Sequence, residues 1–198
     1  MSAANENPDV KRVLSFWFDR PPIEWIIAPA GLDAQLKAEF GDLVQKARRN
    51  ELDDWATTSP ESSVALVALL DQFSRNLFRG TPDAFAGDAQ AWSVATRAIA
   101  QDFEKQVTVI QASTFCMTLL NQESLISVIA ARLLWENLKA RCSTAQEQEW
   151  VDMGIAGTKR HLMQIERFGR YPTRNKVLGR ENTEAEEEFL KEYKPSLK

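Results

Sequence analysis

Residues 59–80 read SPESSVALVALLDQFSRNLFRG, and this stretch combines a marked helix start, a run of apolar residues and a polar end. Ser59 is a favoured N-cap residue and Pro60 suits the first helical position, so the stretch predicts a helix that reaches about Phe78. Apolar side chains surround the first turns, which is typical of a helix buried among others. The stretch therefore predicts a central helix in a helical protein.

Five polar side chains follow the apolar part of this helix. They are Asp71, Gln72, Arg75, Asn76 and Arg79. A buried amide or charge without a partner costs roughly 1–3 kcal/mol. At about 100° per residue the five share one arc of the helix, and Asp71 and Arg75 are spaced to form an ion pair. Two interpretations stay open: the side chains tie the helix to the loop after Gly169, or they line a ligand site.

Helical periodicity continues through the rest of the chain, and no stretch has the alternation that is typical of strands. We therefore expect an all-α fold in a single domain, with roughly eight to nine helices. The predicted helices span residues 10–18, 32–44, 60–78, 88–103, 107–120, 122–141, 144–168 and 183–192. Residues 1–9 are expected to form a flexible N-terminus, residues 10–193 the domain and residues 194–198 a C-terminal tail. Periodicity does not separate a solenoid of helical hairpins from a bundle.

Composition and charge argue against several classes of function. The chain of 198 residues has a formal net charge of −4, which argues against a nucleic acid partner. It has neither an apolar N-terminal leader nor a run of the ~18 apolar residues that a membrane span needs, so we expect a cytoplasmic protein without membrane contact. One histidine and two separated cysteines are too few for a zinc site, and the glycine-rich nucleotide loops are absent. We therefore expect no metal and no cofactor.

A second cluster of polar residues lies between residues 167 and 181 and is rich in arginine. It contains Arg167, Arg170, Arg174, Asn175 and Arg180. The guanidinium group offers a planar set of donors that suits a carboxylate or a phosphate, so several arginines at one cavity favour an anionic ligand. The alternative is a structural lattice of ion pairs with Asp71, Asp88, Glu123 and Glu181. The sequence does not show which acid reaches which arginine.

Three residues are candidates for proton transfer. His161 is the only histidine and titrates near neutral pH, although a core role is its alternative because it shares an apolar helix face with Ile165 and Phe168. Glu123 is the best carboxylate candidate, and a contact with a helix N-terminus is its alternative role. Asp71, from the polar arc of the central helix, is the third candidate.

Several segments together resemble the DUF924 family of bacteria and fungi. They are residues 13–18 (VLSFWF), 69–82 (LLDQFSRNLFRGTP), 167–175 (RFGRYPTRN) and 178–181 (LGRE), in the order expected for the family. The resemblance covers residues 13–190 and implies an all-helical, tetratricopeptide-like domain in which these segments form the walls of one central pocket. The activity of the family is not established, so the resemblance implies no particular reaction.

The chain lacks two histidines of the family pattern. Residues 115–125 read FCMTLLNQESL, whereas the family pattern is close to F-x-x-P-x-M-H-S-E-D-L, so Asn121 replaces a histidine while Glu123 is retained. Thr173 replaces the second histidine, and His161 matches a family position. These departures imply either a member specialised for a different small molecule or one that has kept the fold and lost catalysis.

These observations predict a small-molecule-binding protein, and specifically a cofactor-independent enzyme that acts on a polar or anionic metabolite by acid–base chemistry. Lyase, isomerase, cyclisation and hydrolysis reactions all fit. The expected ligand-binding residues are Arg75, Asn76, Arg79, Asn121, Arg170, Arg174, Asn175 and Arg180. A non-catalytic, tetratricopeptide-like adaptor that binds a peptide or protein partner in a helical groove is the alternative. The oligomeric state is not readable from the sequence.

Overall fold

Helices make up the fold, which a computed structural model describes for residues 7–193. In chain order they are α1 (Pro8–Phe18), α2 (Leu32–Arg48), α3 (Trp55–Thr58), α4 (Pro60–Val67), α5 (Ser74–Leu77), α6 (Asp88–Ala100), α7 (Val109–Leu120), α8 (Leu125–Lys139), α9 (Ala145–Phe168) and α10 (Glu184–Glu192). No strand occurs within the described residues, which confirms the all-α prediction for a single domain. None of the helices in this part of the chain has the length and apolar character that crossing a membrane requires.

Capping residues fix several helix boundaries where the sequence predicts them. The Ser59 side chain accepts a hydrogen bond from the Ser62 amide and begins α4. Gly169 ends α9 with a φ of 68°, a backbone conformation that glycine adopts without strain. Thr183 begins α10 through a capping box with Glu186. Local hydrogen bonding therefore explains why these helices begin and end at these residues.

Other boundaries differ from the prediction. α1 begins two residues earlier than predicted, because the Asn7 side chain caps it by accepting a hydrogen bond from its first turn. α6 ends three residues early, since Asp102 has a positive φ of 56°. α8 begins three residues late, since Ser124 is its N-cap. Of the predicted flexible N-terminus and C-terminal tail, residues 1–6 and 194–198 lie outside the described part of the chain.

The helical stretch that begins at Pro60 lies at the centre of the molecule, as its apolar pattern predicts. Every residue from 62 to 74 is buried, and α4 packs against α1, α6 and α7. Between α4 and α5, Ala68–Phe73 form a π-helical stretch, where the Ser74 hydroxyl donates a hydrogen bond to the Leu69 carbonyl over 3.1 Å. A π-helical turn inside an α-helix frequently marks a functional site. The polar end of the predicted helix starts in this stretch.

Gly87 allows α6 to approach the central helix closely. A Cβ atom at this position would lie 2.4 Å from the carbonyl oxygen of Leu70, which is backbone and cannot turn away. We therefore expect Gly87→Ala to lower the free energy of unfolding by about 1–3 kcal/mol in urea denaturation. Gly41→Ala is the control, because Gly41 lies within α2 with no atom within 4 Å of a new Cβ, and a gain of about 0.5–1 kcal/mol is expected there. Equal stability of the two variants would contradict the close contact.

Candidate functional site

A cavity of about 350 Å³ lies beside the polar end of the central helix. Its longest wall is a face of α9 that consists of Trp150, Met153, Gly154, Gly157, Arg160 and His161. The rest of the lining comes from Trp25 and Ile26, from Gln72 and Arg75, from the end of α7, from Trp135 on α8 and from Tyr193 after α10. These elements are far apart in the sequence, so the cavity exists only in the folded chain.

Two glycines on this face of α9 shape the cavity in different ways. A Cβ atom at Gly154 would lie 2.5 Å from the Trp135 ring, so glycine lets that ring pack against the helix. A Cβ atom at Gly157 would have only the Nη2 atom of Arg160 within 4 Å, at 3.8 Å. The face therefore offers a ring contact at Gly154 and free volume one turn later, at Gly157.

Three tryptophans form an apolar part of the lining. The ring centroids of Trp25 and Trp150 are 5.3 Å apart in an edge-to-face arrangement, and those of Trp135 and Trp150 are 6.2 Å apart. Trp25 Nε1 donates to the Trp17 carbonyl and Trp150 Nε1 donates to the Ser113 hydroxyl. The buried Nε1 of Trp135 has no acceptor among the described residues.

Two arginines bring positive charge to the lining. Arg75 donates from Nε to Asp71 over 2.6 Å and from Nη2 to both carboxylate oxygens of Asp88 over 2.8 and 3.0 Å. Its Nη1 atom has no acceptor within residues 7–193. Arg160 forms no ion pair with any residue in that part of the chain. Both guanidinium groups therefore have donors that suit an anionic ligand.

Asp71 organises the polar part of the cavity from behind the lining. Besides Arg75, its carboxylate accepts hydrogen bonds from Gln72 at 2.9 Å, from Thr118 at 3.0 Å and from the Asn121 amide at 2.9 and 3.0 Å. Both oxygens are thereby occupied, and the side chain is only 1% exposed. The structure therefore makes Asp71 a positioning residue, in place of the proton-transfer role that the sequence suggests.

Asp88 and Arg174 extend this arrangement. Burial raises the pKa of Asp88 to about 6, against the opposing attraction of Arg75 and of Arg174, whose Nη1 lies 3.6 Å from the Asp88 carboxylate. Arg174 also donates to the backbone carbonyl of Asn121 over 2.8 Å. Burial and the nearby charge of Arg75 lower the pKa of Arg174. Arg174 thus supports Asn121, a lining residue, and is not itself part of the lining.

Glu123 has a structural partner rather than a place in the cavity. Arg180 binds its two oxygens over 2.6 and 2.8 Å, and the backbone amide of Tyr171 donates to it over 2.8 Å. Burial opposes ionisation, but these hydrogen bonds outweigh it and lower the pKa of Glu123. The Glu123 carboxylate therefore ties the loop after α9 to the start of α8. Glu123 does not line the cavity, and its role in proton transfer stays a prediction from the sequence.

The other predicted ligand residues lie away from the cavity. Arg170 pairs with Glu186 over 2.7 Å, and the Asn175 amide contacts Asn182 and Glu186. Asn76 and Arg79 both donate to Asp33 at the start of α2. Arg79 does not lie on the arc predicted for the five polar side chains, because the helix ends at Leu77, before that residue. Ion pairs with acids therefore account for most of these arginines, and Arg170 also donates to the backbone carbonyl of Glu181 over 2.8 Å.

His161 is the proton-transfer candidate that does line the cavity. Its Nδ1 lies 2.9 Å from the Gly157 carbonyl oxygen. A carbonyl only accepts, so Nδ1 carries the proton and Nε2 keeps a free lone pair. Burial lowers the pKa of His161, the Gly157 bond opposes this, and the charges of Arg174, Arg160 and Arg75 lower it further. His161 is therefore neutral at pH 7, with an unprotonated Nε2.

Arg160 and the glycines of α9 are absent from the ligand residues expected from the sequence. The spacing of Trp150, Gly154, Gly157 and His161 by three or four residues marks one helix face, and this signal is readable in the sequence. The closure of this face by Trp25 and α8 depends on tertiary packing. No group of three or more His, Cys, Asp or Glu side chains within residues 7–193 is arranged to hold a metal ion.

The fold and the site together define an all-α protein with a mixed aromatic and cationic cavity. The chain belongs to the DUF924 family, described as a bacterial protein of unknown function, whose model matches residues 13–194. It is similar to a solved structure of a protein of unknown function from Agrobacterium tumefaciens, with 31% sequence identity and a TM-score of 0.80 over 93% of this chain and 97% of that chain. No curated protein matches the chain.

Proposed function

We propose that this protein binds a small anionic metabolite in the cavity and converts it by acid–base chemistry without a cofactor. The observation that carries the proposal is the state of His161, whose Nε2 accepts no hydrogen bond from any described residue and whose ring lines a cavity that also contains Arg75 and Arg160. A neutral histidine can act as a base, and the two guanidinium groups beside it can bind an anion, so the cavity combines both functions.

The chemistry begins with proton transfer from the substrate to Nε2 of His161. The negative charge that develops on the substrate is stabilised by Arg75, because Asp71 and Asp88 hold its guanidinium in one orientation before the substrate binds. Proton abstraction beside a carbonyl or carboxylate group is the common first step of lyase, isomerase and cyclisation reactions, and activation of water by the same base leads to hydrolysis. The proposal includes a cytoplasmic location, a biosynthetic role and a tetratricopeptide-like pairing of the helices around the cavity.

A peptide-binding adaptor is the second candidate, and one observation favours it. Apolar side chains on the outer face of α8 are exposed, among them Ile126 at 76% and Leu133 at 56%. Exposed apolar surface of this kind is typical of an interaction site. Convergent polar groups in a small cavity favour a small ligand instead, and for that reason the enzyme is the leading proposal.

Blocking the cavity at Gly157 tests the proposal. We expect the native protein to consume at least one compound from a library of small carboxylic acids, and Gly157→Leu to abolish this conversion because the new side chain fills the open volume. Ala156→Leu, at an exposed neighbouring position, is the control and should keep the conversion. Mass spectrometry of the library measures both, and thermal melting confirms that the variants fold. Absence of any conversion, together with capture of peptides that α8 mutations abolish, would favour the adaptor.

A further inference from the structure

The balance of charges at the cavity distinguishes between classes of anion. Arg75 and Arg174 are matched by Asp71 and Asp88 in one hydrogen-bonded group, so these four charges cancel. Arg160 remains without an acidic partner in the described part of the chain, and no Asp or Glu of that part lines the cavity. A single uncompensated positive charge suits a monoanion such as a carboxylate, whereas a phosphate dianion would leave negative charge unmatched.

The position of Arg160 indicates how far the anion lies from the apolar part of the cavity. The Nη2 atom of Arg160 is 3.8 Å from the site of a Cβ at Gly157, so the side chain turns back along α9. Gly157 is one turn, about 4.5 Å of helix rise, beyond Gly154, on which the Trp135 ring packs. The charged group and the ring surface are therefore neighbours, and a compact ligand reaches both.

The aromatic lining of the cavity favours a ligand with a planar ring. Trp25, Trp135 and Trp150 line the cavity, and contacts between aromatic rings are worth about 0.5–1.5 kcal/mol each beyond the burial of apolar area. An aliphatic chain would bury apolar area but would gain none of the ring geometry.

We infer that the substrate is a planar-ring monocarboxylic acid with the carboxylate on a short side chain. The ring lies among the three tryptophans, and the carboxylate binds the guanidinium of Arg160 and the free Nη1 of Arg75. This inference rests on the proposed function, because it names the substrate class of the same cavity. The carboxylate end then lies beside His161, and the proton that His161 removes comes from the short side chain.

Calorimetric titration with a matched series of compounds tests this substrate class. The probes are 3-phenylpropanoate, its neutral amide 3-phenylpropanamide, the cation 3-phenylpropylamine, the ring-free acid hexanoate, and inorganic phosphate. We expect 3-phenylpropanoate to bind at least about tenfold more tightly than the amide, as the loss of one charge-assisted hydrogen bond implies. Hexanoate should bind more weakly than 3-phenylpropanoate, and the amine and phosphate should give no saturable signal.

Arg160→Gln provides the test in the protein, because Arg160 forms no ion pair within residues 7–193 whose loss would disturb folding. In this variant the affinity for 3-phenylpropanoate should fall to that for the amide. Arg167→Gln, an exposed arginine two turns later on α9, should change neither affinity. Equal binding of acid and amide, tighter binding of hexanoate, or an unchanged affinity in Arg160→Gln would each overturn the substrate class. The proposed function is tested separately, by the Gly157→Leu experiment on the wider library of small carboxylic acids.

Discussion

Asp71→Ala lowers the free energy of unfolding by about 3–5 kcal/mol, the cost of removing one partner from a buried charge pair. The carboxylate accepts hydrogen bonds from four side chains, and the substitution leaves Thr118, Asn121 and Gln72 with unpaired buried donors. It also leaves the Arg75 guanidinium with Asp88 as its only acidic partner. Urea denaturation measures the loss, and Asp71→Asn gives a second measurement if the alanine variant does not fold.

Asp33→Ala is the matched control, because Asp33 also binds an arginine, Arg79, which lies just after the same helical segment. The pair of Asp33 with Arg79 is 40% and 57% exposed, and exposed pairs contribute about 0–1 kcal/mol. Asp33→Ala removes this exposed pair and also the acceptor of the buried Asn76 amide, so it should cost about 1–2 kcal/mol, less than Asp71→Ala. If Asp71→Ala instead kept the native stability and lost only the conversion of the substrate, Asp71 would act on the ligand directly. The positioning role would then be wrong.

Mutation of Arg75 or Arg174 would not separate an effect on ligand binding from an effect on folding. Both guanidinium groups belong to the buried group that includes Asp71 and Asp88. Removal of either guanidinium group takes a positive partner from a buried carboxylate, which destabilises the fold whether or not a ligand binds. Arg160 has no such partner, so its substitution reports on the cavity alone.

Local signals made most of the fold predictable. Ser59 and Thr183 have side chains that cap the following helix, and Gly169 supplies the left-handed residue that ends α9, so each boundary depends on a few neighbouring residues. The π-helical stretch Ala68–Phe73 was not predictable in this way. It accompanies the close packing of Leu70 against Gly87, which is a contact between separate helices.

The candidate site was predictable only in part, because residue type does not determine which charged side chains pair with one another in the fold. Arg75, Asn121 and His161 were predicted, and they line the cavity. Arg170 and Arg180 have the same chemistry, but each binds an acid elsewhere in the fold. The sequence contains more acids than arginines, and tertiary packing decides which acid each arginine binds.

His161→Gln reduces the rate of the conversion found with the carboxylic acid library by about 100-fold or more, with little change in binding. Glutamine has an amide that can donate to the Gly157 carbonyl as Nδ1 of His161 does, but it has no basic nitrogen. The rate of the native enzyme should also fall as the pH falls below the ordinary histidine value of 6.5, since the pKa of His161 is lowered and the base is lost only when Nε2 becomes protonated. Asp88, with a pKa of about 6, titrates in the same range and adds positive charge to the site when it is protonated.

The pH dependence of the residual activity of His161→Gln shows whether His161 or Asp88 causes the native pH profile. If His161 is the base, the slow rate of His161→Gln is independent of pH between about 5 and 8, where glutamine does not titrate. Persistence of the native pH profile in His161→Gln would assign the profile to Asp88 and would contradict the role of His161. Met163→Gln, at an exposed position on α9, is the control for the new amide and should keep both the native rate and the native profile. A base held neutral by burial and by neighbouring arginines is the arrangement in which a single histidine serves acid–base chemistry at neutral pH.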